Sequence, residues 1–258
     1  MDTDISIIAI AFIAFFAGFI DAIVGGGGLV QVPAMFIIFP HFAVPQIIGT
    51  NRFASFAGTS VAGYQYSKKV VIPWRTVFYA GVGAAVMSFL GATISSLIDA
   101  AILKPIMLVL MTLIAIYTYK NKDFGQVEIT EIATKKIHYY GIIIGSLAGF
   151  YNGFIGPGTG SLLVFGFVSV VGYNFLMASG VSKIVNVVAD ISSLIFFLFK
   201  GFVIFKIAIP MMICNMLGSY LGSKMAISRG NSFVRIMFLV VVFGLILRFG
   251  YDILILTF

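Results

Sequence analysis

Charged residues are scarce in this chain, and their scarcity excludes a soluble domain. Asp, Glu, Lys and Arg together make up 10% of the residues, whereas soluble domains carry about 25%. Hydrophobic residues make up 60%, and the mean hydropathy is +1.11. Together these values predict an all-α integral membrane protein, because a spanning helix satisfies its backbone hydrogen bonds internally.

Cysteine and histidine are nearly absent, which excludes most kinds of metal site. The single cysteine, Cys214, excludes an internal disulfide and a cysteine metal site. The two histidines, His41 and His138, lie at the ends of apolar runs and form no ligand cluster. Neither glycine-rich stretch is followed by the Gly-Lys-Ser/Thr that a P-loop requires. We therefore expect no cofactor, no metal and no enzymatic activity.

The net charge of +7 does not indicate nucleic-acid binding in such a chain. The basic residues lie between apolar runs, as residues that set membrane topology do. We expect the lipid bilayer as the surroundings and no nucleic acid as a partner. The sequence leaves open whether the chain forms a homo-oligomer.

Ten apolar runs follow one another, and two of them are too short to span a membrane. The runs 29–40 and 160–172 extend only about 18–20 Å, against a hydrocarbon core of about 30 Å. Each follows a glycine-rich break, so we expect a half-helix whose N-terminus lies inside the protein. The longer runs are 5–24, 45–66, 76–98, 102–119, 138–155, 174–199, 202–223 and 233–256.

The two breaks lie 131 residues apart, since Gly149 aligns with Gly18 (149 − 18 = 131). Without any gap, this shift also aligns Asn152 with Asp21 and Gly156 with Gly25. The aligned residues are unusual ones for a membrane segment, because several consecutive glycines each penalise a helix by about 1 kcal/mol. The shift therefore indicates two copies of one unit.

Each repeat is predicted to be a broken helix and half-helix pair followed by three full transmembrane helices. The first repeat covers residues 1–120, a cytoplasmic loop covers 121–137, and the second repeat covers 138–258. Inverted and parallel repeats leave equally many Lys and Arg residues on the cytoplasmic side, so the positive-inside rule does not decide between them. We favour inverted repeats because they bring both breaks to the midplane. In that topology Lys68 to Arg75 is cytoplasmic and 200–206 lies outside.

Two cations lie deep inside apolar runs and are the main candidates for function. Arg52 and Lys183 occupy equivalent places under the 131-residue shift. A charge at the centre of a spanning helix costs about 2.5–3.5 kcal/mol and usually lines an interior pathway. The alternative is that both snorkel to an interface, or that they neutralise Asp21 and Asp190. Asp190 lies seven residues after Lys183, on the same helix face, and is its expected partner.

The cations are surrounded by polar residues that predict an anion-binding site. Half-helix N-termini add unpaired N–H donors and about half a positive charge each. We expect the guanidinium fork of Arg52 to hold a small oxyanion bidentately. The predicted substrate-binding residues are Thr50, Asn51, Arg52, Ser55, Ser182, Lys183, Asn186, Gly26, Gly27, Gly28, Gly158, Thr159 and Gly160, with Asp190 and Asp21 as proton carriers.

Several of these motifs resemble the TauE/SafE family of membrane transporters, also called the TSUP family. The resemblance covers nearly the whole chain and rests on the stretches Gly25 to Pro33, Gly49 to Phe53, Gly156 to Gly160 and Ser182 to Asn186. It implies movement of sulfite, sulfonates, sulfoacetate and related organosulfur anions across the cytoplasmic membrane, often outward. A second run of three glycines is common in the family, and Pro157 and Thr159 interrupt it here.

The predicted function is a secondary transporter, an exporter of a small organosulfur anion that works by alternating access between the repeats. Alternatives from other classes are a passive anion channel of the same fold and a carrier of a small carboxylate. The sequence does not decide which anion is moved, in which direction, or whether protons are coupled. A channel would conduct faster than a carrier and show no trans-stimulation.

Overall fold

The computed structural model describes residues 3–95 and 134–257, and this part of the chain contains helices and no strands. One of the helices ends in a π-helical turn, Phe167–Val171. The predicted class, an all-α membrane protein, is confirmed. The helices are α1 (Thr3–Val24), α2 (Gly28–Ile38), α3 (Val44–Lys69), α4 (Trp74–Ser95), α5 (Thr134–Phe154), α6 (Thr159–Gly166), α7 (Phe175–Phe199) and α8 (Phe205–Thr257).

Both predicted half-helices are present. Helix α2 has 11 residues, and α6 with its π-helical turn spans Thr159–Val171. At 1.5 Å per residue, neither reaches across a hydrocarbon core of about 30 Å. Gly25 and Gly156 have φ values of 82° and 90°, a left-handed conformation that favours glycine. The chain therefore turns at two positions that the 131-residue shift makes equivalent.

Four of the described helical stretches are long and apolar enough to cross a membrane: Ile5–Val24, Trp74–Ser95, Phe175–Phe199 and Phe205–Val241. Helix α3 is not among them, although it has 26 residues. Several of its polar residues are buried, namely Thr50, Asn51, Arg52 and Thr59. Polar residues that face the protein interior lower the mean hydropathy of a helix, and such a helix can still span the membrane.

The predicted separation of the runs 202–223 and 233–256 is confirmed. The residues between the two runs are mostly helical, but Gly230 has φ 74° and ψ −164°, so α8 consists of two helices that meet at a kink. Helix α5 begins at Thr134, inside the predicted loop 121–137. The rest of that loop and the predicted helix 102–119 lie outside the described residues.

Close helix packing depends on glycine. Glycines recur every four residues along α5, from Gly141 to Gly153, and this stripe predicts the close approach of another helix. A Cβ at Gly145 or Gly149 would overlap the backbone of Ala80 or Ala84 in α4. Gly218 and Gly222 of α8 bring that helix equally close to the backbone of α1. Helices whose backbones touch gain van der Waals contact, which drives helix association in membranes.

Helix α7 lies at the centre of the molecule, with Phe175, Val181 and Val185 fully buried. It packs against α3, α4 and α6. Large apolar side chains of α4 and α8 face outward, among them Phe78, which is 66% exposed. Such side chains suit contact with lipid. The polar residues of α3 and α7, by contrast, face the protein interior.

Candidate functional site

The two glycine breaks meet at the centre of the molecule. The backbone N–H of Ser161 donates to the carbonyl of Gly25 at 2.8 Å. The Ser161 hydroxyl also donates to the Gly25 carbonyl at 2.9 Å. A Cβ on Gly25 or Gly160 would overlap the backbone of the other residue. Main-chain atoms therefore join the breaks directly, and only glycine fits at both positions.

The first cation, Arg52, lies in a network of side chains that we name the Arg52 site. Its Nη1 donates to Asp190 Oδ1 at 2.8 Å. Its two terminal nitrogens also donate to the side-chain oxygen and the backbone carbonyl of Asn152. Asn152 in turn donates to Asp190 Oδ1 and to Asn186 Oδ1, both at 3.0 Å. Arg52 is 4% exposed and Asp190 is 1% exposed, so this charge pair is buried.

The second cation, Lys183, lies in an equivalent network that we name the Lys183 site. Its Nζ donates to the backbone carbonyl of Asp21 and, at 3.1 Å, to Asp21 Oδ2. Thr59 donates to the same carboxylate oxygen at 3.3 Å. The other oxygen accepts from the N–H of Gly27 at 3.4 Å. Asp21 thus connects Lys183 to the start of α2.

The predicted pairing of Lys183 with Asp190 is wrong. Seven residues of helix separate the two along the axis by about 10.5 Å. Each instead pairs with an oppositely charged residue of the first repeat, Lys183 with Asp21 and Asp190 with Arg52. The alternative that the cations neutralise Asp21 and Asp190 therefore describes the observed contacts.

Both cations bind at the carbonyl end of a helix, which the sequence reading missed. Asp21 lies in the last turn of α1, and Asn152 lies in the last turn of α5. The carbonyls of the last turn and the negative end of the helix dipole favour a cation there. The alignment of Asn152 with Asp21 was the available signal, because it placed two polar residues at equivalent helix ends.

A small cavity lies beside the Arg52 site, and we name it the central cavity. Its volume is about 20 Å³, close to what one water molecule needs. The N-terminus of α6 forms one wall and α3 forms another. The residues that line it are Asp21, Gly28, Asn51, Arg52, Ser55, Thr59, Gly156, Pro157, Gly158, Thr159, Gly160, Asn186 and Asp190.

Most of the predicted site residues line this cavity, and five do not. Thr50 instead accepts a hydrogen bond from the N–H of Ile204 at 3.0 Å, which is a structural contact. Thr59, Gly156 and Pro157 line the cavity although they were not predicted as site residues. The predicted residues outside the lining are Thr50, Ser182, Lys183, Gly26 and Gly27.

The guanidinium fork of Arg52 is not free in this conformation, contrary to expectation. Nη1 donates to Asn152 and Asp190, and Nη2 donates to Asn152. Within the described residues, Arg52 Nε is buried and has no hydrogen-bond partner, and the same is true of Asn51 Oδ1. An oxyanion that binds Nη1 must displace Asp190, whereas one that binds Nε need not. Residues 3–95 and 134–257 contain no group of three His, Cys, Asp or Glu that could hold a metal ion.

Comparison with known proteins gives a consistent result. A family model described as Sulfite exporter TauE/SafE matches residues 10–249. The chain is 31% identical over 255 residues to a Haemophilus influenzae protein named "Probable membrane transporter protein", with 98% of each chain covered. It is 29% identical over 234 residues to the Escherichia coli (strain K12) transporter named YfcA, covering 89% of this chain and 84% of YfcA. No solved structure matches the chain.

Proposed function

The chain belongs to the TauE/SafE sulfite exporter family, and on that premise we propose that it exports a small organosulfur anion, such as sulfite, a sulfonate or sulfoacetate. The resemblance drawn from the glycine and Arg52 motifs is confirmed by this membership. The chain is a multi-pass membrane transporter and not an enzyme. Its small-molecule substrate, the direction of transport and its place in the cytoplasmic membrane are parts of the proposal.

The observation that carries the proposal is a buried arginine beside a broken helix and a cavity. Arg52 lines the central cavity together with Gly158, Thr159 and Gly160 at the start of α6. A helix N-terminus offers N–H donors to an anion, and the guanidinium adds a full positive charge. Because both face one small polar space, that space suits an oxyanion better than a neutral solute.

Charge balance supports coupling of the anion to a proton. Arg52 and Lys183 are matched by Asp190 and Asp21, so the centre carries no net positive charge. An arriving anion competes with Asp190 for Arg52, and the displaced carboxylate is then buried without a cation. Protonation removes that cost. We propose Asp190 as the proton carrier, with Arg52 in place of Lys183 as the group that governs it.

Pseudo-symmetry supports alternating access between inverted repeats. Under the 131-residue shift, α1 corresponds to α5, α3 to α7 and α4 to the start of α8. Helix α4 packs on α5, and α8 packs on α1. Likewise α3 packs on α8, and α7 packs on α4. Every such contact joins the two repeats, so α4 packs in one bundle with α5 and α7, and α8 packs in another with α1 and α3. These two bundles exchange roles under the 131-residue shift, and we propose that they move against each other.

The size of the central cavity supports a conformational change during transport. A space of about 20 Å³ holds one water molecule and not a sulfonate. The site must therefore widen when the substrate binds, and release of Asp190 from Arg52 provides the first step of that widening.

Counterflow in proteoliposomes tests the proposed function. Vesicles that contain purified protein and unlabelled sulfite should accumulate labelled sulfite transiently, because a carrier exchanges substrate across the membrane. A channel would equilibrate the label without transient accumulation. A thermal-shift screen of sulfite, thiosulfate, taurine, sulfoacetate and short carboxylates distinguishes an organosulfur carrier from a carboxylate carrier. Binding of carboxylates alone would contradict the organosulfur substrate.

A further inference from the structure

Two residues that line the central cavity each have one buried polar atom without a hydrogen-bond partner, a donor in one residue and an acceptor in the other. They are Arg52 Nε and Asn51 Oδ1, and neither has a partner among the described residues. Both side chains line the cavity, and the two residues are 4% and 6% exposed. Buried polar atoms in proteins are nearly always hydrogen-bonded. An unpaired donor and an unpaired acceptor on residues that line one cavity indicate a ligand that bonds to both once the site has widened.

The charges around the cavity limit the charge of that ligand. Arg52 is balanced by Asp190, and Lys183 is balanced by Asp21. A singly charged anion therefore adds one uncompensated negative charge, and a dianion adds two. The desolvation cost of a buried ion rises steeply with its charge. A single proton on Asp190 offsets a monoanion and leaves a dianion uncompensated.

We infer that the Arg52 site selects a singly charged oxyanion that carries its own N–H or O–H donor beside the charged group, as hydrogensulfite does. An oxygen of the ligand accepts from Arg52 Nε, and the donor of the ligand bonds to Asn51 Oδ1. Doubly charged anions, sulfoacetate among them, are rejected. This inference rests on the proposed function and narrows its substrate class.

Two small anions of the same charge and similar size test the contribution of the ligand's hydrogen-bond donor. Sulfamate and methanesulfonate are both monoanions near neutral pH and differ only in an amino group against a methyl group. Sulfate serves as the dianion. Purified protein should bind sulfamate at least about tenfold more tightly than methanesulfonate, because methanesulfonate leaves a buried acceptor unpaired. Sulfate should bind more weakly than either monoanion.

A variant of Asn51 tests whether Asn51 Oδ1 accepts the hydrogen bond from the ligand. In Asn51→Leu the preference for sulfamate over methanesulfonate should disappear, while methanesulfonate still binds. Gln65→Leu is the matched control, because it removes an amide from the same helix at a position outside the cavity. The control should keep the preference of the wild-type protein. If Asn51→Leu does not fold, the three-anion comparison on wild-type protein decides the matter alone.

The outcomes separate this inference from the proposed function. Equal binding of sulfamate and methanesulfonate by the wild-type protein would overturn the inference and leave organosulfur transport intact. Tighter binding of sulfate would overturn the charge limit. An unchanged preference in folded Asn51→Leu would overturn the role of Asn51. Absence of binding and counterflow with all three anions and with sulfite would overturn both proposals.

Discussion

The Arg52 site and the Lys183 site are built on one plan and differ in where the acid lies. In each, a cation of a spanning helix binds the carbonyl of a residue at the end of the other repeat's broken helix, Asn152 or Asp21. At the Lys183 site the carboxylate belongs to that helix end itself. At the Arg52 site it belongs to α7, as Asp190.

This difference separates a structural ion pair from one that can respond to a substrate. Asp21 is held by Lys183, Thr59 and the N–H of Gly27, so its carboxylate fills the anion position at the start of α2. Asn152 is neutral and leaves the corresponding start of α6 open to the cavity. We therefore propose that the Lys183 site is internally satisfied and that the Arg52 site is the one available to a ligand.

The strongest test of the comparison concerns which side of the membrane each repeat faces. Lys69 and Lys200 are exposed and equivalent under the 131-residue shift. On a Cys214→Ser background, a cysteine at position 69 should react only with reagent in the cytoplasm, and one at position 200 only with reagent outside. Inverted repeats place equivalent residues on opposite faces. Labelling of both positions from one side would contradict the inverted topology.

Removal of the arginine should abolish transport. In Arg52→Ala the carboxylate of Asp190 stays buried without its cation, a change that costs about 3–5 kcal/mol of stability. Uptake into proteoliposomes should be lost while the protein is still inserted. Arg52→Lys should also lose most activity, because one ammonium cannot reproduce the bonds of the fork to Asn152 and Asp190.

A double variant distinguishes loss of function from loss of stability. Arg52→Ala combined with Asp190→Asn removes both charges and should recover much of the melting temperature without recovering uptake. Wild-type uptake by either variant would show that Arg52 is not a substrate ligand.

The two acids should respond differently to neutralisation. Asp190→Asn imitates the protonated acid, so it should keep binding and counterflow and lose the dependence of net flux on a pH gradient. Asp21→Asn should keep that dependence and lower the melting temperature, because Lys183 loses its counter-charge. Flux measured at clamped voltage with opposite pH gradients distinguishes these results. Wild-type flux that ignores the pH gradient would eliminate proton coupling.

The smallest expected effect concerns the first residues of α3 and α7. Asn174 caps α7 by accepting from the N–H of Met177 at 2.9 Å, whereas the equivalent Ala43 has no side-chain acceptor. Asn174→Ala should therefore lower the free energy of unfolding by about 1 kcal/mol. Ala43→Asn should raise it by up to about the same amount. Thermal unfolding in detergent measures both, and equal melting temperatures for Asn174→Ala and wild type would contradict the cap.

The features that local sequence determines were predictable. Glycine breaks, short half-helices and the stripe that contains Gly145 and Gly149 follow from backbone propensity and spacing alone. The ion pairs did not follow, because Asp190 and Arg52 are 138 residues apart and meet only through tertiary packing. Sequence distance favoured the neighbour Lys183, whereas the folded chain places each acid against the cation of the other repeat. The 131-residue shift contained the missing information, since it paired Asp21 with Asn152.

The hydrogen bond between Ser161 and Gly25 also bears on how the two halves of the chain can diverge. It uses main-chain atoms, which every amino acid provides, and its geometry requires only that Gly25 and Gly160 lack a Cβ. One half can therefore have arginine where the other has lysine, or aspartate where the other has asparagine, and the hydrogen bond between the halves remains. A substitution at either glycine, by contrast, would displace both half-helices at once. The side chains of one half can thus change for a new role, while the hydrogen bond between the halves is kept.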